Sequence, residues 1–243
     1  MQNQFDQRTT GADPAIAVGV PRVARDAGLR SYMLKIYNYM ASAVLLTGIV
    51  AMVFANSGMA ERVFQTPLRW LLILAPLGFV MTMSFGVNRM KTSTLQALFW
   101  AFAVAMGLSM SSIFLIYTGT SIAQTFFAVS AAFLGLSLYG YTTKKDLSGF
   151  GTFLIMGVVG LLVAMLLNMF LQSSAMAMAI SAIGVLLFAG LTAYDTQKLK
   201  SMYAYVAGNS EMMAKSTVMG ALTLYLDFIN MFQFLLSLMG NRR

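Results

Sequence analysis

The sequence predicts an all-α integral membrane protein, a bundle of seven transmembrane helices. Hydrophobic residues make up 58% of the 243 residues and charged residues only 10%, against about 25% charged in an average soluble domain. The mean hydropathy is +0.74. Seven apolar runs carry almost no charge and reach about 20 residues, the length that crosses a bilayer. They are residues 33–55, 68–87, 94–117, 120–140, 150–172, 176–195 and 216–239.

The runs are predicted to be helices that form one domain. Backbone polar groups inside a bilayer must bond within the protein, so a span is either a helix or part of a closed barrel. Long runs without period-two alternation favour helices. Short loops join them, so residues 33–243 are predicted to be one transmembrane domain. Residues 1–32 are polar, rich in glycine and alanine, and lack the apolar core of a signal peptide. We expect them to form a flexible basic cytoplasmic tail.

The basic residues predict the orientation and account for the net charge of +8 without a nucleic-acid partner. They gather in the N-terminal segment and around the loops that follow the second, fourth and sixth runs, and the positive-inside rule places these segments in the cytoplasm. With an odd number of spans, the C-terminus then lies outside. The acid-poor tail and the absence of an organelle-targeting signal favour a bacterial inner membrane. The residues concerned are Arg8, Arg22, Arg25, Arg30, Lys35, Arg89, Lys91, Lys144, Lys145, Lys198, Lys200 and Lys215.

The sequence contains neither cysteine nor histidine. Disulfides and thiolate metal sites are therefore excluded. Ser-His-Asp hydrolysis, haem ligation through histidine and the usual zinc sites are excluded as well. The expected protein is not an enzyme and carries no resident cofactor.

Two aspartates occur where a membrane protein rarely places a charge. Asp195 ends the sixth run, and Asp227 falls in the middle of the seventh. A charged group at this depth costs about 2.5–3.5 kcal/mol on insertion scales and normally faces the bundle interior. A predicted break at residues 208–210 makes the last two helices an antiparallel hairpin. The two aspartates lie 13 residues before Gly208 and 18 residues after Asn209, so they can face each other at similar depth.

A stripe of polar and small residues on the seventh run points Asp227 inward. Its members recur every three or four residues, the spacing of one helical face, and Thr223 and Asn230 flank the aspartate. The stripe can support a functional carboxylate, or it can simply pack small residues against a neighbouring helix. Its members are Ser216, Gly220, Thr223, Asp227, Asn230 and Ser237.

Two facing carboxylates in a low-dielectric interior cannot both remain ionised easily, so they are expected to share a proton. Such a pair can sense pH, carry protons or bind a divalent cation. Calcium prefers oxygen ligands, and Asp195 and Asp227 are its candidate ligands here, although two carboxylates alone make a weak site. Arg89, at the cytoplasmic end of the second run, is a candidate salt-bridge partner of the pair. It can equally be a plain positive-inside anchor.

An intramembrane aspartyl protease is a more remote alternative. Such enzymes place one aspartate in a Tyr-Asp pair and the other in a Gly-x-Gly-Asp motif, followed by a Pro-Ala-Leu element. Tyr194 and Asp195 match the first half. Residues 224–227 read LYLD and lack both glycines, and the Pro-Ala-Leu element is absent.

Four short stretches together resemble the Bax inhibitor family, the transmembrane Bax inhibitor motif proteins. They are residues 106–109 (MGLS), 143–148 (TKKDLS), 193–198 (AYDTQK) and 224–230 (LYLDFIN). They follow the order of the family and extend from the third span to the seventh. The resemblance implies a central seventh helix wrapped by the other six.

The resemblance also implies a function. It suggests a pH-sensitive calcium leak, in which Asp195 and Asp227 act as proton sensor and gate. In some members of the family an arginine near the cytoplasmic end of the second helix is linked to the pair, and Arg89 is the nearest basic residue here. Bacterial relatives are also implicated in restraining a membrane-bound ATP-dependent protease. An interaction function without flux is therefore the alternative.

Overall fold

The computed structural model describes residues 22–242, which form helices joined by short turns. Seven helical segments are long and apolar enough to cross a membrane, so the predicted fold class is confirmed. The fourth and fifth helices together make up the third of these spans. The helices are α1 (Arg22–Asn56), α2 (Met59–Phe64), α3 (Arg69–Gly86), α4 (Thr92–Met110), α5 (Ser112–Ile116), α6 (Gly119–Thr142), α7 (Ser148–Leu171), α8 (Ser174–Val206) and α9 (Ser210–Met239).

The seventh span, α9, lies at the centre of the bundle, as predicted. Half of its most apolar stretch is buried, at 50%, against 11% for α3 and for α7. Its main neighbours are α1, α4, α6 and α8, whereas α3 packs on α4 and α7 packs on α8. Four of the other six spans therefore surround α9 directly, and the remaining two, α3 and α7, lie outside them.

The first helix begins earlier than the sequence suggested. It starts at Arg22, so residues 22–32 are helical and continue into the first span. The division of the chain after residue 32 stays a prediction. Tyr32 explains the difference, because it is 2% exposed and its hydroxyl bonds with the Ser216 hydroxyl at 2.6 Å. Its ring also lies 5.6 Å from that of Tyr203. Because this segment is polar, its sequence gave no sign of these contacts with α8 and α9. The rest of the predicted tail lies outside the described residues.

Small residues allow the inner helices to approach closely. A Cβ atom added at Gly140 of α6 would overlap the carbonyl group of Ala193 in α8. One added at Gly107 of α4 would lie 2.8 Å from the Thr47 carbonyl oxygen in α1. Packing, rather than the hydrophobic effect, holds helices together in lipid. These two contacts therefore set how closely α6 approaches α8 and how closely α4 approaches α1.

Helices α8 and α9 form the predicted hairpin. Asn209 begins α9 as its N-cap, and its side chain accepts a hydrogen bond from the Met212 amide at 3.0 Å. This is a standard way to satisfy a free amide at a helix start. At the other end of α9, the Thr118 amide donates to the Asn241 carbonyl at 3.0 Å, and the Asn241 amide donates to Ser121 Oγ at 3.0 Å. The end of the chain is thus attached to the start of α6.

Candidate functional site

The structure brings Asp195 of α8 and Asp227 of α9 together. Their carboxyl groups lie within hydrogen-bonding contact of each other, and the two residues are only 8% and 4% exposed. An ionised carboxylate can only accept hydrogen bonds. A hydrogen bond between the two groups therefore requires a proton on one of them. The geometry is that of two buried carboxyl groups close enough to share a proton.

The register of the hairpin places the pair at mid-depth. On one side of the pair the hydroxyl of Ser181 donates to that of Ser237 at 3.2 Å. On the other side Leu199 packs directly on Gly220. Asp227 lies 17 residues after the start of α9 at Ser210 and 12 residues before its last residue. At 1.5 Å per residue, these are distances of about 26 Å and about 18 Å.

The surroundings of the pair are mostly uncharged. Atom Oδ2 of Asp227 is buried and has no donor among the described residues. The nearest positive charge is Lys198, which acts on Asp195 from one turn along α8. Its ammonium lies 5.8 Å from the ring centroid of Tyr194 and is exposed. In the sequence Lys198 stood out only as a loop cation, although its three-residue spacing from Asp195 places both on one helical face.

The structure does not bring Arg89 to the pair. Arg89 is exposed in the turn between α3 and α4, and it forms no ion pair with either aspartate. The reason is the layering of the bundle, because α3 packs on α4 and not on α8 or α9. The predicted salt bridge is therefore absent from this conformation, and the arrangement favours the plain positive-inside anchor.

The flanking polar residues of the stripe bond within their own helix. Thr223 Oγ1 donates to the Met219 carbonyl at 3.1 Å, and Asn230 Nδ2 donates to the Leu226 carbonyl at 2.8 Å. Neither of these bonds reaches a carboxyl group of the pair. The predicted supporting role of Thr223 and Asn230 stays a prediction.

Two cavities approach the pair from opposite ends of α9. We call the end of the bundle that carries the α3–α4, α6–α7 and α8–α9 turns the basic end. A cavity of about 550 Å³ opens there and reaches Val218. A second cavity, of about 470 Å³, lies between α7, α8 and α9 and begins at Asn230. From Val218 to Asn230 is a step of 12 residues along α9, or about 18 Å. Asp227 lies within this section, whose intervening residues line neither of the two cavities. Leu199 and Ile36 fill part of it, packing against Gly220.

Two of the segments that carried the family resemblance, residues 143–148 and 193–198, contact each other. Gln197 lies two residues after Asp195. Its side-chain Nε2 donates to the Lys145 carbonyl at 2.8 Å, and its Oε1 accepts from the Leu147 backbone amide at 2.8 Å. In the same loop, hydrogen bonds from Ser148 hold the pKa of the exposed Asp146 carboxyl below its ordinary value. The loop between α6 and α7 is therefore attached to α8 near the pair.

A buried hydroxyl network next to the pair escaped the sequence analysis. Thr47 Oγ1 donates to the Ala103 carbonyl at 2.9 Å and lies 2.7 Å from the Tyr225 hydroxyl. Because the Thr47 proton is already used, Tyr225 must donate to Thr47. The network joins α1, α4 and α9. Only the position of Tyr225, two residues before Asp227, could have drawn attention to it.

The direction of these hydrogen bonds predicts unequal effects of two substitutions. Thr47→Val should destabilise the protein by about 1–3 kcal/mol, because it leaves the Tyr225 hydroxyl buried without an acceptor. Tyr225→Phe should cost less, about 1 kcal/mol, because Thr47 keeps its bond to Ala103. Thermal unfolding of both variants in detergent checks this order. A larger loss for Tyr225→Phe would contradict the assigned directions.

The residues around the pair do not fit a resident calcium site. Calcium takes six to eight oxygen ligands, and two carboxylates supply four at most. The described part of the chain contains no group of three or more acidic, histidine or cysteine side chains that could hold a metal ion. The predicted role of Asp195 and Asp227 as calcium ligands stays a prediction.

The fold and the site define a class: a seven-helix membrane protein with a buried carboxyl pair between its last two helices. The family model described as "Inhibitor of apoptosis-promoting Bax1" matches residues 29–243. The chain belongs to this family, and the resemblance found in the sequence is confirmed.

Bacterial relatives match nearly the whole chain. The chain is 51% identical over 219 residues to "Uncharacterized protein RP147" of Rickettsia prowazekii, covering 90% of this chain and 92% of the relative. It is 47% identical to an uncharacterized protein of Caulobacter vibrioides, covering 90% and 91%. It is 44% identical to "Inner membrane protein YbhL" of Escherichia coli strain K12, covering 89% and 94%. These names support a membrane protein and specify no transported ion.

Proposed function

We propose that this protein is a proton-sensitive cation leak channel that passes calcium and is gated by Asp195 and Asp227. The observation that carries the proposal is the contact between these two buried carboxyl groups. The position of Asp227, between the parts of α9 that line two separate cavities, supports it. We place the protein in a bacterial inner membrane with its N-terminus in the cytoplasm, on the positive-inside rule.

The proposed gate works through the charge of the pair. At low pH the pair is protonated and hydrogen-bonded, which holds α8 against α9 and keeps the closed section between the cavities intact. When the pair loses its protons, two charges about 4 Å apart repel by about 4 kcal/mol at an effective dielectric constant of about 20. This repulsion loosens the hairpin and opens the path. Calcium competes with protons for the same carboxyl oxygens.

The test is calcium flux into proteoliposomes across a pH range. Wild-type flux should rise from acidic to alkaline pH. Asp195→Asn and Asp227→Asn should each give a flat profile at the acidic level, because asparagine is uncharged at every pH and nearly isosteric with a protonated aspartate. The difference from wild type should therefore be largest at alkaline pH.

Asp26→Asn is the matched control for these variants. Asp26 is exposed near the start of α1, and the substitution removes the same charge outside the bundle interior. Its profile should match that of wild type. If both asparagine variants of the pair keep the wild-type pH profile, the sensor role is wrong. If the wild-type protein shows no flux at any pH, the proposal fails. Recovery of a membrane-bound ATP-dependent protease on purification from native membranes would then favour the interaction role.

A further inference from the structure

A groove open to the side of the bundle lies between α1 and α6 at the basic end. Its volume is about 340 Å³, and its lining is mainly aliphatic and aromatic. The residues at its edges face outward, with Leu34, Leu134 and Leu138 exposed by 51%, 69% and 63%. Both helices are membrane spans, so the groove opens toward lipid chains rather than toward water.

One cation lines this groove, and a second contacts a residue of its lining. Arg30 belongs to its lining, is exposed, and forms no ion pair with any carboxylate in the described part of the chain. Lys200 approaches from α8, where its ammonium donates to the Tyr141 carbonyl at 2.7 Å. The same ammonium lies 5.0 Å from the ring centroid of Tyr141, which also lines the groove. The basic end of the groove therefore carries Arg30 in its lining and Lys200 next to Tyr141.

We propose that the α1–α6 groove binds one anionic phospholipid, with an acyl chain along the groove and the phosphate between Arg30 and Lys200. Three features favour a lipid over a protein segment. The groove opens into the bilayer, where lipid is the abundant molecule. Its apolar lining suits an acyl chain, since each buried methylene contributes about 0.8 kcal/mol. Its two cations lie at the end of the bundle where basic side chains gather, and such side chains attract anionic headgroups.

The groove adjoins the wall of the carboxyl site. Ser137 lines the groove, and its hydroxyl lies 3.2 Å from that of Thr196 in a buried hydrogen bond. Thr196 directly follows Asp195 in α8. The bound lipid would therefore rest against the α6 segment that contacts α8 next to Asp195. Binding is nevertheless independent of the proposed channel function and is measured without flux.

The test is native mass spectrometry of the full-length protein in detergent with equal amounts of phosphatidylglycerol and phosphatidylcholine. Wild type should retain one phosphatidylglycerol in preference to phosphatidylcholine. Arg30→Gln should reduce this preference about fivefold, the effect expected for one basic side chain near a lipid surface. Arg89→Gln is the matched control, because Arg89 is exposed at the same end of the bundle and outside the groove. Its preference should equal that of wild type.

A groove-filling variant tests the chain-binding part. Leu138→Trp should reduce the retention of both lipids, because the indole occupies the acyl-chain position. Leu74→Trp places the same residue on α3, at a position 55% exposed, and should retain lipid as wild type does. Unchanged retention in Leu138→Trp would overturn the proposal. So would an unchanged preference in Arg30→Gln, or an equal loss in Arg89→Gln, which would indicate a general effect of surface charge.

Discussion

Replacing Gly140 with alanine should destabilise the bundle by about 1–3 kcal/mol or more, the range for overpacking a tight interior. The added Cβ atom would overlap the carbonyl group of Ala193. A backbone group cannot turn aside as a flexible side chain can, so α6 must move away from α8. Because Ala193 lies two residues before Asp195, the movement should also disturb the carboxyl pair.

The matched control for this substitution lies in the same helix. Gly135 is exposed, and a Cβ atom added there would meet no atom within 4 Å. Gly135→Ala should therefore leave stability unchanged or raise it by up to about 1 kcal/mol, because alanine favours a helix interior more than glycine does. Thermal unfolding of both variants in the same detergent provides the comparison. Similar melting temperatures for the two variants would show that the α6–α8 contact does not limit the size of the side chain at position 140.

Replacing Leu199 with alanine should raise calcium flux most strongly at acidic pH, where the proposed gate is closed. Leu199 packs with Ile36 against Gly220, in the section that separates the basic-end cavity from the aspartate pair. Removing this side chain opens space along the path without altering either carboxyl group. The flux of the variant should therefore depend less on pH than that of wild type, and the proteoliposome assay measures this.

Leu154→Ala is the control for a general loss of packing. Leu154 is 2% exposed, and it packs against Gly190 between α7 and α8. Both substitutions should destabilise the protein by about 2–5 kcal/mol, the usual cost of truncating a buried leucine. Only Leu199→Ala should change the flux profile. An equal rise in flux for Leu154→Ala would mean that flux reports loosening of the bundle rather than removal of a plug.

The sequence predicted much of the candidate site because a charged residue inside an apolar run can be recognised without knowing the fold. Asp195 and Asp227 stood out because ionisable groups are costly at membrane depth. Counting residues from the turn at 208–210 then predicted that they face each other, and the structure brings them into contact. What these residues do stays a prediction, as does the supporting role of Thr223 and Asn230.

Contacts between distant parts of the chain could not be predicted in the same way. Arg89 looked well placed by its depth alone, but depth does not tell on which side of the bundle a helix packs. The bond from Tyr225 to Thr47 joins residues 178 positions apart. The bond from Tyr32 to Ser216, which extends α1 into the predicted tail, joins residues 184 positions apart. The local sequence around each of these residues gives no sign of which distant residue it contacts.

The sequence by itself determined the class of protein, the number and order of its spans, and the two residues most costly to bury. It could do so because the bilayer imposes length and polarity on each span separately. Only the tertiary structure decided that α3 and α7 lie outside the inner helices, that Leu199 packs against Gly220 near the pair, and that α1 and α6 leave a groove with Arg30 in its lining. These features depend on which helix faces which, and close packing between small residues settles that in lipid, where hydrophobicity does not distinguish one helix face from another.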